Sequence, residues 1–368
     1  MFITSVNLTN FRNHKLTSLE FSPHLNLITG LNGQGKTNLS EAVILISRAK
    51  SPRTHQDKDL VMHSENSARV TAEVMRNFGR VSFDFIINGE SDNIYKINSN
   101  EVGRVSEVFG NAIVLYFSPQ DLKIVTGGPS DRRDFIDDDI SMLSGAYYNL
   151  LNRYEKILAQ RNRLLKFEKD ISKIINTIGI WNEQLASVAA PIIKTRKSFI
   201  EKLVPYAKKY ITQLSDNNEE LSIGYVGVRG ITKDEIKSEL IAALENNLER
   251  DMELGYTTIG PHRDDIKFEL NGIDARAFAS QGQARSIVLA LKLAEMKIIT
   301  DEIGESPIMV FDDVFSELDA RRQKKLYDAI EQAQGIFTGT SFKFKPNGNF
   351  KQFKVTNGSV KEIKKKVQ

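Results

Sequence analysis

The chain is 368 residues long, 40% apolar and 26% charged, enough to bury a large core and to fold as two lobes or more. It has no cysteine, which excludes a disulfide framework, a thiolate zinc site and a cysteine nucleophile. A net charge of +3 neither demands nor forbids a polyanionic partner, and no apolar run approaches the ~18 residues of a membrane span; the soluble interior of a cell is the expected compartment.

From the start of the chain, residues 1–8, 15–21 and 24–29 read as strands, the first two alternating apolar and polar. The N-terminal segment lacks a basic stretch followed by an apolar core and is expected to enter the fold directly. Strand 24–29 runs into Gly30-Leu31-Asn32-Gly33-Gln34-Gly35-Lys36-Thr37, which fits the phosphate-binding loop pattern GxxxxGK[ST]. Glycines at 30, 33 and 35 let the backbone curl until its N–H groups face phosphates. Lys36 can place its ammonium between the β- and γ-phosphates of ATP, and Thr37 can offer its hydroxyl to magnesium. The following helix, apolar at Leu39, Ala42, Val43 and Ile46, adds the positive end of its dipole. A glycine-rich turn without a ligand is the plainer reading, and the complete strand–loop–helix context argues against it.

Segments 68–76, 80–87 and 93–97 alternate again, as in an antiparallel sheet with one wet face, and Ala112 to Phe117 reads as a buried central strand. From about 130 to 215 the period becomes helical, with Gly179 a place for the chain to reverse. This is a helical hairpin arm, too short for a rod. The α/β pattern returns with a strand at 221–228, a helix at 232–252 and a strand from Asp265 to Leu270 entering the Asn271-Gly272 turn. His262 and Arg263, just before it, lack partners at metal-ligand spacing and read as a structural turn. Ser280-Gln281-Gly282-Gln283 opens a helix from Ala284 to Ile299. It is either an anion-binding N-terminus or an ordinary serine cap.

Near the end, the apolar strand 308–313 finishes in Asp312-Asp313. Such a pair can simply cap the next helix. Coupled to the phosphate loop, Asp312 is the expected magnesium carboxylate and Asp313 the group that orients or deprotonates the attacking water. Lys36 and Asp313 are therefore the catalytic candidates.

This order of motifs resembles the ATP-binding-cassette heads of the SMC and Rad50 class and, within it, the RecF family of bacterial recombination mediators. The resemblance rests on Leu8-Thr9-Asn10-Phe11-Arg12-Asn13, the phosphate loop, Phe117-Ser118-Pro119-Gln120-Asp121-Leu122, the 128–137 segment, Gln160-Arg161-Asn162, Gly260-Pro261-His262-Arg263-Asp264-Asp265, Ser280 to Arg285, and Asp312 to Asp319. It spans nearly the whole chain. It implies an α/β head, residues 1–125 and 218–368, with a helical arm inserted at 126–217. It also implies that two subunits sandwich two ATPs, Ser280, Gly282 and Gln283 of one facing the loop of the other. Asn32, Gln34 and Asn38 would join the glycines, Lys36 and Thr37 around the nucleotide. Arg12 would reach its phosphates, Gln120 the magnesium, and Asp319 the partner's nucleotide.

Departures matter as well. Asp313 stands where transporter cassettes carry glutamate, so turnover is expected to be slow. The usual switch histidine is replaced by threonines in Ile336-Phe337-Thr338-Gly339-Thr340. By the same resemblance the partners are gapped or double-stranded DNA, bound without sequence preference, together with RecR and other recombination mediators. The candidate DNA contacts are Lys194, Arg196, Lys197, Lys202, Lys208 and Lys209 on the arm, Arg132 and Arg133, and the tail Lys364-Lys365-Lys366; the alternative for each is a solvated polar face. A head serving a transporter or a defence nuclease is the competing function, and no membrane span or added nuclease domain supports it.

Overall fold

A computed structural model describes residues 1–54, 56–215, 219–315, 318–342 and 349–363. The chain opens with β1 (Phe2–Phe11), β2 (His14–Glu20) and β3 (Leu25–Thr29), then α1 (Lys36–Arg48). β4 (Ser67–Arg76), β5 (Gly79–Asn88), β6 (Ile94–Ile97), β7 (Asn100–Glu101) and β8 (Val114–Phe117) follow. The helical stretch comprises α2 (Lys123–Thr126), α3 (Pro129–Leu143), α4 (Gly145–Phe167) and α5 (Ile171–Leu214). β9 (Leu221–Val226), α6 (Lys233–Asn246), α7 (Leu248–Leu254), β10 (Asp265–Leu270), β11 (Ile273–Asp274), α8 (Ala275–Phe278) and α9 (Gln281–Ile303) come next. The chain closes with β12 (Ile308–Asp312), α10 (Ala320–Ala329), β13 (Gly335–Gly339), β14 (Phe350–Thr356) and β15 (Ser359–Glu362).

These elements form two compact units, Met1–Asp121 with Lys292–Gln368, and Leu122–Leu291. The first unit holds two six-stranded sheets, ordered β2-β1-β4-β5-β6-β7 and β15-β14-β3-β13-β12-β8. The antiparallel pairings β1–β2, β1–β4, β4–β5 and β5–β6 build the former, which turns Val70, Ala72 and Val74 of β4 and Val81, Phe83 and Phe85 of β5 into the core. Their neighbours along each strand stay wet, the period-2 pattern of a sheet with one solvated face. In the other sheet β3, β13, β12 and β8 run parallel, and α1 is buried almost along its length against it. Parallel strands need cover on both faces, which explains their continuous apolar runs. β8 differs from expectation: it is an edge strand, not a central one, because among the described residues only β12 pairs with it.

The second unit is α3, α4 and α5 with the small sheet β11-β10-β9, α6 and α7. β9 packs on α5 and β10 on α3. For that reason residues 219–291 group with the arm, whereas the sequence placed everything from 218 in the head; residue 218 itself lies outside the described residues. The chain does not reverse at Gly179, which sits inside the continuous α5. It reverses at 168–170, where the Glu168 carboxylate accepts the N–H groups of Lys169 and Asp170, and Asp170 caps α5 through Ser172 N–H.

Three ion pairs built on buried arginines brace this second unit, and that of Arg161 is buried on both sides. Arg161, fully buried, donates to Asp251 at 2.7 Å, to Asn182 at 2.9 Å and to Thr257 at 2.7 Å. Arg196 grips Asp137 through two bonds of 2.8 and 2.6 Å and also donates to the Pro261 carbonyl. Arg132 holds Asp265 in the same forked way, at 2.6 and 3.0 Å.

Candidate functional site

The phosphate loop leaves β3 and returns as α1. Gly35 has φ +114, and a Cβ there would lie 2.7 Å from Asn13 Oδ1 and 2.9 Å from His14 Nε2. A Cβ on Gly30 would meet the Val355 carbonyl oxygen at 2.6 Å, so both positions require glycine. The loop is braced from behind. His14 pairs with the Gly35 carbonyl through Nε2, Asn13 donates to the Gln34 carbonyl, and the Asn357 N–H donates to the Gln34 side chain. Asn38 donates to Asn13 and accepts from Arg53. Leu31, Asn32 and Gly33 form the exposed outer curve.

Lys36 turns its ammonium into the loop, donating to the carbonyls of Gly30 at 2.7 Å and Leu31 at 3.0 Å. Burial pulls its pKa below the ordinary lysine value, partly offset by the charges of Asp313 and Asp312. Thr37 donates to Asp312 Oδ1 at 3.2 Å across 275 positions of sequence. The two half-sites separated in the chain therefore meet in one unit.

Sheet register explains this meeting. Parallel pairing sets Asp312 beside Thr338, and Thr338 donates to Asp312 Oδ1 at 2.5 Å. Tyr116 of β8 donates to Asp312 Oδ2 at 3.2 Å. The carboxylate is buried, 5% exposed, and three hydroxyls converge on it. Of the two threonines, Thr338 is in the site and fully buried, whereas Thr340 is exposed. Asp313 follows the strand end with φ +56, a left-handed conformation that aspartate tolerates, and its N–H is held by the Thr338 carbonyl and hydroxyl at 3.1 Å each.

The other candidates are placed as follows. Arg12 is committed to a forked ion pair with Glu41 on α1, at 2.9 and 2.7 Å, and also donates to the Asp59 carbonyl. Gln120 is exposed on the 3-10 turn Pro119–Leu122, which Asp121 caps through Ser118. Asp319 is the exposed N-cap of α10, accepting from Arg321 and Arg322 N–H at 3.0 Å each; their contact lowers its pKa. Ser316 and Glu317 lie outside the described residues.

In the second unit, Ser280 and Gln283 cap α9 reciprocally, the Gln283 N–H reaching Ser280 Oγ and the Ser280 N–H reaching Gln283 Oε1, with Gly282 beside them. Several proposed DNA contacts do not survive. Arg196 and Arg132 are buried in the ion pairs described above, and Arg133 donates to the Asp264 carbonyl. Lys197 is tied to the carbonyls of Val228 and Gly230. Lys194, Lys202, Lys208 and Lys209 retain at least partial exposure, and Lys364, Lys365 and Lys366 lie outside the described residues. His262 and Arg263 form the structural turn expected of them. His262 bridges Tyr154 and the Thr257 carbonyl, and burial lowers its pKa to about 4.

Comparison with known proteins gives the family. Residues 2–340 match the model of the RecF/RecN/SMC N terminal domain. A protein of Alkaliphilus oremlandii named DNA replication and repair protein RecF is 40% identical over 344 residues, covering 92% of this chain and 93% of that one. The protein of the same name from Clostridium botulinum is 37% identical over 99% of this chain and all of its own length. Among solved structures, the recombination mediator protein RecF with ATP, from the RecFOR pathway, superposes with a TM-score of 0.91 at 36% identity, covering 99% of this chain and 98% of that one. An SMC head bound to a winged-helix domain of ScpA superposes at 0.58 with 16% identity over 99% of this chain and 98% of that one, a likeness of fold alone.

Proposed function

Because this chain belongs to the RecF/RecN/SMC N-terminal domain family, and groups there with the RecF proteins, we propose that it is an ATP-switched clamp of recombinational DNA repair. The observation that supports this most is the Thr37–Asp312 contact, which assembles an ATP-binding-cassette site from opposite ends of the chain.

The oxygens of Thr37 and Asp312 are the hard donors that magnesium takes, and these two residues would hold it. When bound there, magnesium would supply charge neutralisation to the phosphates. Lys36, now bonded to its own loop carbonyls, would exchange them for phosphate oxygens. Asp313 would orient or deprotonate the attacking water. Its short arm, fixed in a left-handed turn, supports a slow hydrolysis that serves as a release step and not as an engine.

Ser280, Gly282 and Gln283 would meet the γ-phosphate held by a second copy, so that ATP joins two subunits and its hydrolysis parts them. In that dimer Asp319 would approach the neighbouring nucleotide. Arg12 would do so only after leaving Glu41, and Gln120 would sense the metal. DNA at gaps or at single–double strand junctions would be held through phosphates by the wholly or partly exposed lysines of α5, Lys194, Lys202, Lys208 and Lys209, giving salt-sensitive, sequence-independent affinity. RecR and other recombination mediators are the protein partners of this reading, and the nucleoid within the cytoplasm its place of work. Among the described residues no helix is long and apolar enough to cross a membrane.

Molar mass in solution, with and without ATP-magnesium and with a short gapped duplex, tests the proposal. A monomer that dimerises only with ATP and then binds the duplex more tightly supports it. Nucleotide binding without a change in mass or DNA affinity sinks it. Lys36→Ala should abolish ATP binding, and Asp313→Asn should slow hydrolysis at least a hundredfold and trap the dimer. Hydrolysis at the parent rate in Asp313→Asn removes that residue from the water-activating role.

A further inference from the structure

The Asp312 carboxylate is approached from two sides of the parallel sheet. On the β13 side Thr338 is its register partner. On the β8 side the ladder stops at Phe117 opposite Phe311, so no strand residue pairs with Asp312 there. The residue that follows, Ser118, spends its N–H and hydroxyl on Asp121 at 2.6 and 3.2 Å. Tyr116 fills the gap from one pleat behind. It is in register with Val310, two residues before Asp312, so its side chain emerges on the same face as the carboxylate. Its phenol is long enough to cross that pleat and reach Oδ2 at 3.2 Å.

We propose that Tyr116 is a positioning residue for the nucleotide–metal site, its hydroxyl fixing the rotation of the Asp312 carboxylate so that Oδ1 faces Thr37. Each oxygen of the carboxylate has its own donors, Oδ1 the two threonines and Oδ2 the tyrosine. With the threonines alone, both bonds fall on one oxygen and the carboxylate can still swing about its own axis; the third bond removes that freedom. An outer partner that fixes a ligand's orientation in this way typically governs metal affinity and not fold. Phenylalanine would fill the same space without the donor.

This inference rests on the reading of Asp312 as the magnesium carboxylate, and the experiment separates the two. A fluorescent ATP analogue is titrated onto the full chain in EDTA and then across a range of Mg2+ concentrations, for the parent, Tyr116→Phe and Asp312→Asn. Tyr116→Phe should raise the Mg2+ midpoint about tenfold while leaving the affinity in EDTA unchanged. A side chain that only packs would shift both affinities together or neither, and either pattern overturns the proposal. If Asp312→Asn raises the midpoint and Tyr116→Phe does not, only the role of Tyr116 falls. If neither variant moves it, the metal assignment of Asp312 falls as well.

Discussion

In the second unit Asp251, Asp137 and Asp265 each meet a guanidinium, from Arg161, Arg196 and Arg132. In the first unit Asp312 is 5% exposed, and among the described residues the groups bonded to it are the neutral hydroxyls of Thr37, Thr338 and Tyr116. The nearby ammonium of Lys36 is spent on loop carbonyls. A buried anion is costly until a cation joins it. The three paired carboxylates are complete in the folded chain and serve its stability. Asp312 has no such partner among the described residues, and in the proposed reading the cation arrives with the nucleotide. Burial alone does not separate a structural carboxylate from a functional one; the nature of its partners does.

Removing one partner from each kind of site is the sharpest way to break this contrast. Arg161→Met keeps most of the stem volume but leaves Asp251 buried without its cation, and should cost about 3–5 kcal/mol in urea unfolding. Asp312→Asn removes a charge that, among the described residues, no cation is bonded to, so the nucleotide-free protein should unfold no more easily than the parent. Equal destabilisation by the two substitutions would erase the distinction.

Acidification offers a second, smaller test within the paired network. His262 has its pKa pulled down to about 4 by burial, whereas an unfolded histidine titrates near 6.5. Between those values the unfolded chain takes up a proton that the folded chain refuses, so stability is lost as pH falls from 6.5 toward 4. Asp264 acts in the opposite sense. Burial raises its pKa to about 6, so the folded carboxyl protonates first and stability is gained as pH falls from 6 toward the ordinary value of 3.8. The two slopes oppose each other over much of the same range. His262→Gln removes one of them, so at pH 4.5 the variant should gain about 2 kcal/mol on the parent, relative to their difference at pH 7.5. Thermal or urea unfolding at the two pH values measures it. Parallel stability curves would show that His262 is charged in the folded state.

How much of this was legible beforehand differs between the two units. The phosphate loop, the carboxylate strand and the alternating sheet follow from periodicities and short motifs that act locally, and the folded chain displays them where they were expected. The arm misled because side-chain types were read without their helical phase. Arg196 lies in a run of cations that resembles a DNA-facing stripe, yet it shares a face with Ile192, Phe199, Ile200 and Leu203, all of them buried. That phase was available in the sequence, and it marks a core arginine in need of a carboxylate. Its partner Asp137 is 59 positions away, and nothing local announces the pairing. Tyr116 was hidden for a related reason: its role follows from the register of β8 on β12, which the sequence of either strand alone does not specify.

Two glycines carry the same contrast to its smallest scale. The sequence treated Gly35 and Gly179 alike, as places where the chain turns. At Gly35 a positive φ and the side chains of Asn13 and His14 leave no room for a methyl group, and Gly35→Ala should weaken ATP binding. Gly179 sits in the interior of α5, and among the described residues no atom outside its own turn of helix backbone lies within 4 Å of where its Cβ would be. There glycine only adds freedom to the unfolded chain and exposes helical backbone to water. Gly179→Ala should therefore stabilise the protein by about 0.5–1 kcal/mol in thermal unfolding and leave ATP affinity unchanged. A loss of stability would mean that the helix bends at Gly179 after all, restoring the reversal point that the sequence suggested.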